Sequence, residues 1–500
     1  MNKTRRKIGV LELSTIFILI VSGLSGFSGC SSLLNYKIAR SIPPGPDRQW
    51  QPPRKAVTAI DTTRKVPSIP RDLLASKNNW TLEEIIDLAL RNNPQTRVTW
   101  ALSRSAAANL GSRQGDYLPQ LSTDAVYSKT RGSAVAGRFD YEQKSYEPSL
   151  SLNYLLFDFG QRHADVDAAR QALYSANWTH NATIQNVVLE VEQAYYQYLY
   201  SKALRLAQDA SFKEAQTNLD AAEQRHKAGL ATINDVLQAR TGFSQAQLAL
   251  QSVEGQIQTI RGALVTAMGL PANTEYDVGL LPDSLPVSEV SDKVEELIAE
   301  AQARRPDLAA TRAQAIQAEA QARSVKAEGL PSISLASNWG RLYYNSRDNH
   351  RDLSNMSISL HYPLFTGFSH EHDVLKAEAD AEAAQNRLQI MEQKVVLDIW
   401  TSYYELKTAQ QRLKTSDDLL RSATESHTVA LERYKAGVGS MIELLTVQSA
   451  LEDARAQNLL ARTDWFLSLA QLAHDTGSLW IPEGTSIEQR YEKMKKDGQK

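Results

Sequence analysis

Apolar residues along this chain follow two different periods, and the switch between them happens twice in the same order. Leu82, Ile85, Ile86, Ala89 and Leu90 fall on one face of a helix that opens with a capping pattern, Thr81 with Glu84 three residues on. Pro94 breaks that helix, and an Ala-rich helical segment from Gln95 to about Gly115 follows until Pro119. The period then becomes two. Leu121, Thr123, Ala125 and Tyr127 share one side of a strand, and Leu150, Leu152, Tyr154 and Leu156 share one side of a second, with a polar loop between. In the second half Ile333 and Leu335, then Ile358, Leu360 and Tyr362, repeat the pattern. Proline-free helical stretches follow each strand pair, roughly 163–227 and 370–435, each on the order of 100 Å long. Ile184, Val188, Val191, Tyr195 and Tyr198 step by alternating four and three residues, as do Val396, Ile399, Tyr403 and Leu406, which is coiled-coil spacing. Each stretch meets a glycine, Gly229 or Gly437, and a second helix returns to about Gly269 or Gly477, predicting two long helical hairpins.

The two halves keep register. Pro94 is answered by Pro306 and Pro119 by Pro331 at an offset of 212 residues, whereas Leu156-Phe157, Tyr195-Tyr196 and Lys227-Ala228-Gly229 are answered at an offset of 208. The four missing residues belong to one loop. The spacing predicts repeat 1 over 80–282, with a strand pair in 117–158 and a helical hairpin in 160–269. Repeat 2 covers 283–480, with a strand pair in 331–366 and a hairpin in 368–477. Strands of about ten residues with a weak two-residue period suit a membrane barrel better than a soluble core. Four strands cannot close a barrel without exposing unpaired edges, so if the strands enter lipid, copies of the chain must share one.

Composition adds exclusions. Lys+Arg number 55 against 57 Asp+Glu, a formal net charge of -2, so nothing favours nucleic acid as a partner. Lys3, Arg5, Arg6 and Lys7 precede an apolar run from Leu13 to Val21, too short to span a bilayer, and small residues lead to Cys30; this reads as an export signal over 1–29. Cys30 is the one cysteine of the chain. Phe27-Ser28-Gly29-Cys30 resembles a bacterial lipobox, which implies acylation of Cys30, and Ser31 after it permits outer-membrane sorting. A Pro-rich arm over 30–79 and a polar tail over 481–500 flank the repeats.

The chain as a whole resembles the TolC-type outer-membrane factors, from Cys30 to about Gly477. The residues that carry the likeness are Thr81-Leu82-Glu83-Glu84 with Asn93-Pro94, Tyr154-Leu155-Leu156-Phe157-Asp158-Phe159-Gly160, and the Lys-Ala-Gly turns. The resemblance implies a mainly α fold with a small β part, in which long helical hairpins of a homotrimer form an α-barrel, twelve shared strands a transmembrane β-barrel, and short helices an equatorial belt. It also implies a passive exit duct in the outer membrane that serves an efflux or type I secretion system. The implied partners are a periplasmic membrane-fusion adaptor, an inner-membrane pump and outer-membrane lipid. By likeness, Gly229 with Leu230 and Gly437 with Val438 form adaptor-docking tips, and Asp235, Glu443 and Tyr434 match the periplasmic gate. Like charges ringing a narrow mouth favour cations, while an acidic residue near a helix start is also stabilised by the helix dipole; both roles stay open for Asp235 and Glu443. Gly439 and Thr446 depart from the family pattern, standing where some relatives have a latch arginine and a second acid.

No glycine-rich phosphate loop, Cys-x-x-Cys pair or His-Glu-x-x-His occurs, so neither an enzyme nor a resident cofactor is expected. His370 and His372 lack a further metal ligand in sequence. The competing reading is a coiled-coil lipoprotein scaffold or adaptor of the periplasm without a channel, against which stand the two tandem copies, each with its own strand pair.

Overall fold

The computed structural model describes residues 45–48, 80–134, 139–274, 276–281, 293–345 and 349–479. The expected signal over 1–29, Cys30, the arm apart from residues 45–48, and the tail over 481–500 lie outside the described residues. Repeat 1 contains α1 (Leu82–Asn92), α2 (Pro94–Gly115), β1 (Gln120–Ala134), β2 (Phe139–Phe157), α3 (Gln161–Lys227) and α4 (Ile233–Ala267). Repeat 2 contains α5 (Val294–Arg304), α6 (Pro306–Glu328), β3 (Ser332–Tyr344), β4 (His350–His361), α7 (Ser369–Lys435) and α8 (Met441–Asp475). Thr81 closes a full capping box with Glu84, and Pro94 and Pro306 occupy first helical positions, where a missing N–H costs nothing. The long helices match in length between repeats, 67 residues for α3 and α7 and 35 for α4 and α8.

The chain divides into two compact units. The first gathers Leu102–Asn177 and Ala310–Leu388 and holds one four-stranded antiparallel sheet of order β1-β2-β3-β4. Its strands run to 15, 19, 13 and 12 residues, longer than the alternation alone suggests, because cross-strand hydrogen bonds extend pairing into polar stretches that carry no apolar signal. Gln120 pairs with Asn153 and Ser332 with His361, so the shift from 212 to 208 falls inside the hairpin and leaves the pairing unchanged. Pro363 has no amide to give, and β4 ends before it. A register shift between Leu155 and Phe157 ends the alternation of β2, and Phe157 rather than Leu156 pairs with Ile333.

Residues directly opposite one another share a face of a sheet. From base to tip, one face of the first hairpin reads Leu121–Leu152, Thr123–Leu150, Ala125–Pro148, Tyr127–Tyr146, then Lys129–Lys144 and Arg131–Glu142. The second reads Ile333–Leu360, Leu335–Ile358, Ser337–Met356, Trp339–Ser354, then Arg341–Asp352. The opposite face is mainly polar, with Ser122, Ser128, Ser145, Ser149, Ser151, Asn153, Ser334, Asn338, Asn355, Ser357 and Ser359, interrupted by Val126, Leu342 and Leu353. Among the described residues of the strands only Ser337 is buried; Leu121, Met356, Ile358 and Leu360 are 61–69% exposed. Burial of such a side chain is worth about 1.5–3 kcal/mol, so this apolar face calls for a cover that the described residues do not supply. No described helix is long and apolar enough to cross a membrane.

The second unit gathers the described residues within 44–101, 178–309 and 389–500. Its largest core packs Ile85, Ile86 and Ala89 of α1 against Val187, Val188, Val191 and Leu199 of α3 and Leu264 and Val265 of α4. On α7 the buried seam runs Val395, Ile399, Ser402, Leu406, Ala409, Leu413, Ser416, Ala423, His427, Ala430 and Tyr434. Val396 and Tyr403 thus sit beside the seam, not in it: Val395 takes the position next to Val396, and Ser402, a small polar residue that an apolar count passes over, takes the one next to Tyr403. Polar pairs cross the hairpins as well: Asn218 Nδ2 donates to Gln448 Oε1 at 2.7 Å, and the Arg455 guanidinium holds Glu214 at 3.0 and 3.1 Å. Such groups specify helix register more than they stabilise it. His180, fully buried, donates from Nε2 to the Arg48 carbonyl at 3.0 Å and meets the Thr99 hydroxyl through Nδ1 at 2.9 Å. Burial holds its pKa below the ordinary imidazole range.

Candidate functional site

The tips of the two helical hairpins bring together most of the residues singled out in sequence. At each tip the helix ends in a Schellman motif. The Leu230 amide donates to the Arg225 carbonyl at 2.8 Å and that of Gly229 to His226 at 2.9 Å; those of Val438 and Gly437 donate to Arg433 and Tyr434 at 3.1 Å each. Gly229 and Gly437 have φ of 73° and 80°, the left-handed region where a side chain is strained. Open space surrounds Gly229, so backbone conformation alone demands glycine there. His226 lends its ring to the same turn, its Nδ1 lying 2.9 Å from the Ala231 carbonyl.

The returning helices start differently. Thr232 and Asp235 form a complete capping box: the Asp235 amide donates to Thr232 Oγ1 at 3.2 Å, and the Thr232 amide and hydroxyl donate to Asp235 Oδ2 at 2.8 and 2.9 Å. Ser440 caps α8 through the Glu443 amide at 3.2 Å, but the Glu443 carboxylate turns instead to Arg433, at 3.3 Å. The Asp235 carboxylate is therefore engaged in its own helix start, whereas that of Glu443 is tied across the turn.

Behind the tips, Ala222, Val236, Ala239, Ala430, Tyr434, Met441 and Leu444 form one small core that joins both hairpins. Tyr434 is 5% exposed, and its hydroxyl has no hydrogen-bond partner among the described residues. Burial raises its pKa, assisted by the charge of Asp235 and opposed by that of Arg225. Arg225 lies over the Tyr434 ring at 4.8 Å and donates from Nη1 to the Tyr434 carbonyl at 2.6 Å. Sequence reasoning passed over Arg225 and Arg433. The repeat could have flagged them, since they are equivalent at the offset of 208 residues. Outside this core, Leu230 and Val438 are each 70% exposed, with Ile233 and Ile442 also exposed, an apolar surface at the ends of both hairpins. Gly439 donates its amide to the Arg433 carbonyl at 3.1 Å and contributes only to the turn. Among the described residues no group of His, Cys, Asp and Glu could hold a metal ion.

The sequence profile of the family described as outer membrane efflux protein matches residues 85–270 and 297–478, both repeats. Protein CyaE of Bordetella pertussis is 29% identical over 388 residues, 76% of this chain and 80% of that protein. Outer membrane protein TolC of Vibrio cholerae is 24% identical over 421 residues, 80% of this chain and 91% of that one. Among solved structures, the CmeC outer membrane channel of Campylobacter jejuni superposes with a TM-score of 0.73 at 16% identity, covering 89% of this chain and 98% of that one.

Proposed function

The chain belongs to the outer membrane efflux protein family, and from that premise we propose that it is one protomer of a trimeric, lipid-anchored exit duct, opened by a periplasmic adaptor and energised by an inner-membrane pump. The family is one of outer-membrane ducts, not of enzymes, and serves tripartite efflux or type I secretion. The observation that carries the assembly is the sheet. It has two free edges, β1 and β4, one apolar face and one Ser/Asn-rich face. Because the strand number is even, β4 of one copy meets β1 of the next in antiparallel sense, and a head-to-tail ring removes every edge. Two copies would give about eight strands, whose interior side chains fill; three give twelve, with a lumen lined by the polar face. Acylation at Cys30 is the anchor this reading assigns.

The mass of the detergent-extracted protein, taken with single-channel conductance in a planar bilayer, tests the reading. A conducting trimer is expected. A monomer without conductance would sink it in favour of a periplasmic scaffold.

Asp235, Glu443 and Tyr434 form the gate in this proposal, and opening is a shift between two packings of the tip core. Asp235→Asn with Glu443→Gln removes the charges while keeping side-chain acceptors at the helix starts. Reduced cation preference is expected from reversal potentials in a salt gradient; an unchanged value leaves Asp235 to its helix start and Glu443 to its contact with Arg433 alone.

The adaptor docks on Leu230 and Val438 beside Gly229 and Gly437. Side chains at the glycines would strain the turns, so Leu230→Glu with Val438→Glu is the cleaner probe. Loss of adaptor in pull-down with trimers intact is expected; retained adaptor removes the docking assignment.

A further inference from the structure

The first β-hairpin carries a charge pattern that its repeat does not. Lys129 and Lys144 stand directly opposite each other across β1 and β2, one rung beyond the Tyr127–Tyr146 pair toward the hairpin tip. Like charges in that position destabilise a strand pair. The equivalent rung of the second hairpin, at offsets of 212 and 208 residues, pairs Arg341 with Asp352, whose carboxylate accepts from the guanidinium at 2.5 and 3.2 Å. Repeat 2 is balanced at this rung and repeat 1 is not.

Three cations of the first hairpin crowd onto one carboxylate. Glu142 lies 3.0 Å from Lys129 Nζ, 2.8 Å from Arg131 Nε and 3.5 Å from Lys144 Nζ. All four belong to the face that is apolar from Leu121 to Tyr127. Asp140, one rung farther out, accepts from the Ser133 hydroxyl at 2.5 Å and still leaves the face with one cation in excess. The three cationic side chains are 38%, 72% and 50% exposed, and among the described residues Glu142 is the one carboxylate they pair with. An anion with several acceptor oxygens would relieve the Lys129–Lys144 repulsion and use their N–H donors. Where an apolar, aromatic-edged face of a membrane protein ends, the group met at that depth is a lipid headgroup.

We propose that Lys129, Arg131 and Lys144 hold a phosphate group of an outer-leaflet lipid against the first hairpin, an inference that rests on the membrane-spanning reading above. Each trimer then presents such a site once per protomer, always at the first hairpin and never at the second. The lipid seals the rung that the strand pair leaves mismatched.

The test reconstitutes the full-length trimer in nanodiscs of phosphatidylcholine with diphosphoryl lipid A, re-extracts it, and counts retained lipid A by native mass spectrometry. Wild-type protein should keep about one lipid A per protomer. Lys129→Gln with Lys144→Gln should lower retention on the order of tenfold to thirtyfold, and Lys144→Asp, which installs the pairing of the second hairpin, should do the same. Arg341→Gln should leave retention unchanged. Equal retention by the lysine variants, or equal retention of fully dephosphorylated lipid A by the wild type, overturns the site. Conductance of the same preparations separates the two levels: trimers that conduct but show either result lose only the lipid site, whereas wild-type protein that neither inserts nor conducts takes both readings down.

Discussion

Gly269→Ala is expected to destabilise the helical unit by roughly 2–5 kcal/mol, the sum of a left-handed backbone penalty and an overpacking term. Gly269 ends α4 in a Schellman motif with φ of 73°, the Leu270 amide donating to the Val265 carbonyl at 3.1 Å. A Cβ there would lie 2.7 Å from the Asn92 carbonyl carbon and 2.8 Å from the Asn92 oxygen and the Asn93 nitrogen, all backbone atoms that cannot swing away. The site is where the end of the first helical hairpin presses on the junction of α1 and α2. Gly477 makes the equivalent approach to Arg304 and Arg305 at 3.1–3.2 Å, between α8 and the α5–α6 junction. Gly229 supplies the control. Its φ is also 73°, but nothing lies within 4 Å of an added Cβ, so Gly229→Ala should cost only the backbone penalty, about 1–2 kcal/mol. Urea midpoints of the helical signal measure both. Equal losses would show that the close approach contributes nothing and that only the turn conformation matters.

Arg305→Ala should cost nearly as much. Arg305 is 4% exposed and donates from Nε and Nη2 to Asp307 at 3.0 and 2.6 Å and from Nη1 to Asp398 at 3.0 Å, joining the start of α6 to α7. Breaking a buried pair costs about 3–5 kcal/mol, and the lower end applies because the carboxylates keep 30% and 23% of their surface. Acid separates this contact from simple packing. Burial pushes the pKa of Asp307 up, but the hydrogen bonds and charge of Arg305 outweigh it, so the folded value lies below the ordinary 3.8. A depressed carboxylate pKa stabilises the fold above the unfolded value, and that contribution disappears as pH falls through the folded one. Wild-type protein should therefore lose stability below about pH 4, and Arg305→Ala should flatten that slope. A variant with the same acid slope as the wild type would assign the loss to packing.

The equivalent position in repeat 1 is Asn93, which solves the same problem without charge: its Nδ2 donates to the Ala267 carbonyl at 3.2 Å, and its Oδ1 accepts from the Gln95 amide at 2.8 Å. That contrast explains what the sequence could and could not reveal. The tandem copy, the hairpins and their glycine turns were legible because proline, glycine and hydrophobic period are local signals, and the structure places helix boundaries at matching residues in both halves. The seam of α7 runs one residue before Val396 and Tyr403, since Val395 and Val396 are adjacent and equally apolar and Ser402 is buried without being apolar. At the tips, Asp235, Glu443 and Tyr434 do converge on one region, but the partners that give them different environments, Arg225 and Arg433, act across turns and between hairpins. Contacts of that kind depend on packing, which a single sequence does not display. The mismatched Lys129–Lys144 rung was hidden for the same reason: it exists only once strand register is known.

The equal lengths of α3 and α7, and of α4 and α8, restrict how this protein can change its reach. One residue inserted into a single long helix turns everything beyond it by about 100°, which would carry Ile399 and Leu406 out of their seam if it fell early in α7. Seven inserted residues turn it by only about 20° and lengthen it by on the order of 10 Å. Lengthening that keeps the seams therefore comes in blocks such as seven or eleven residues, added to outgoing and returning helices of both repeats at once, so that reach is inherited in discrete steps.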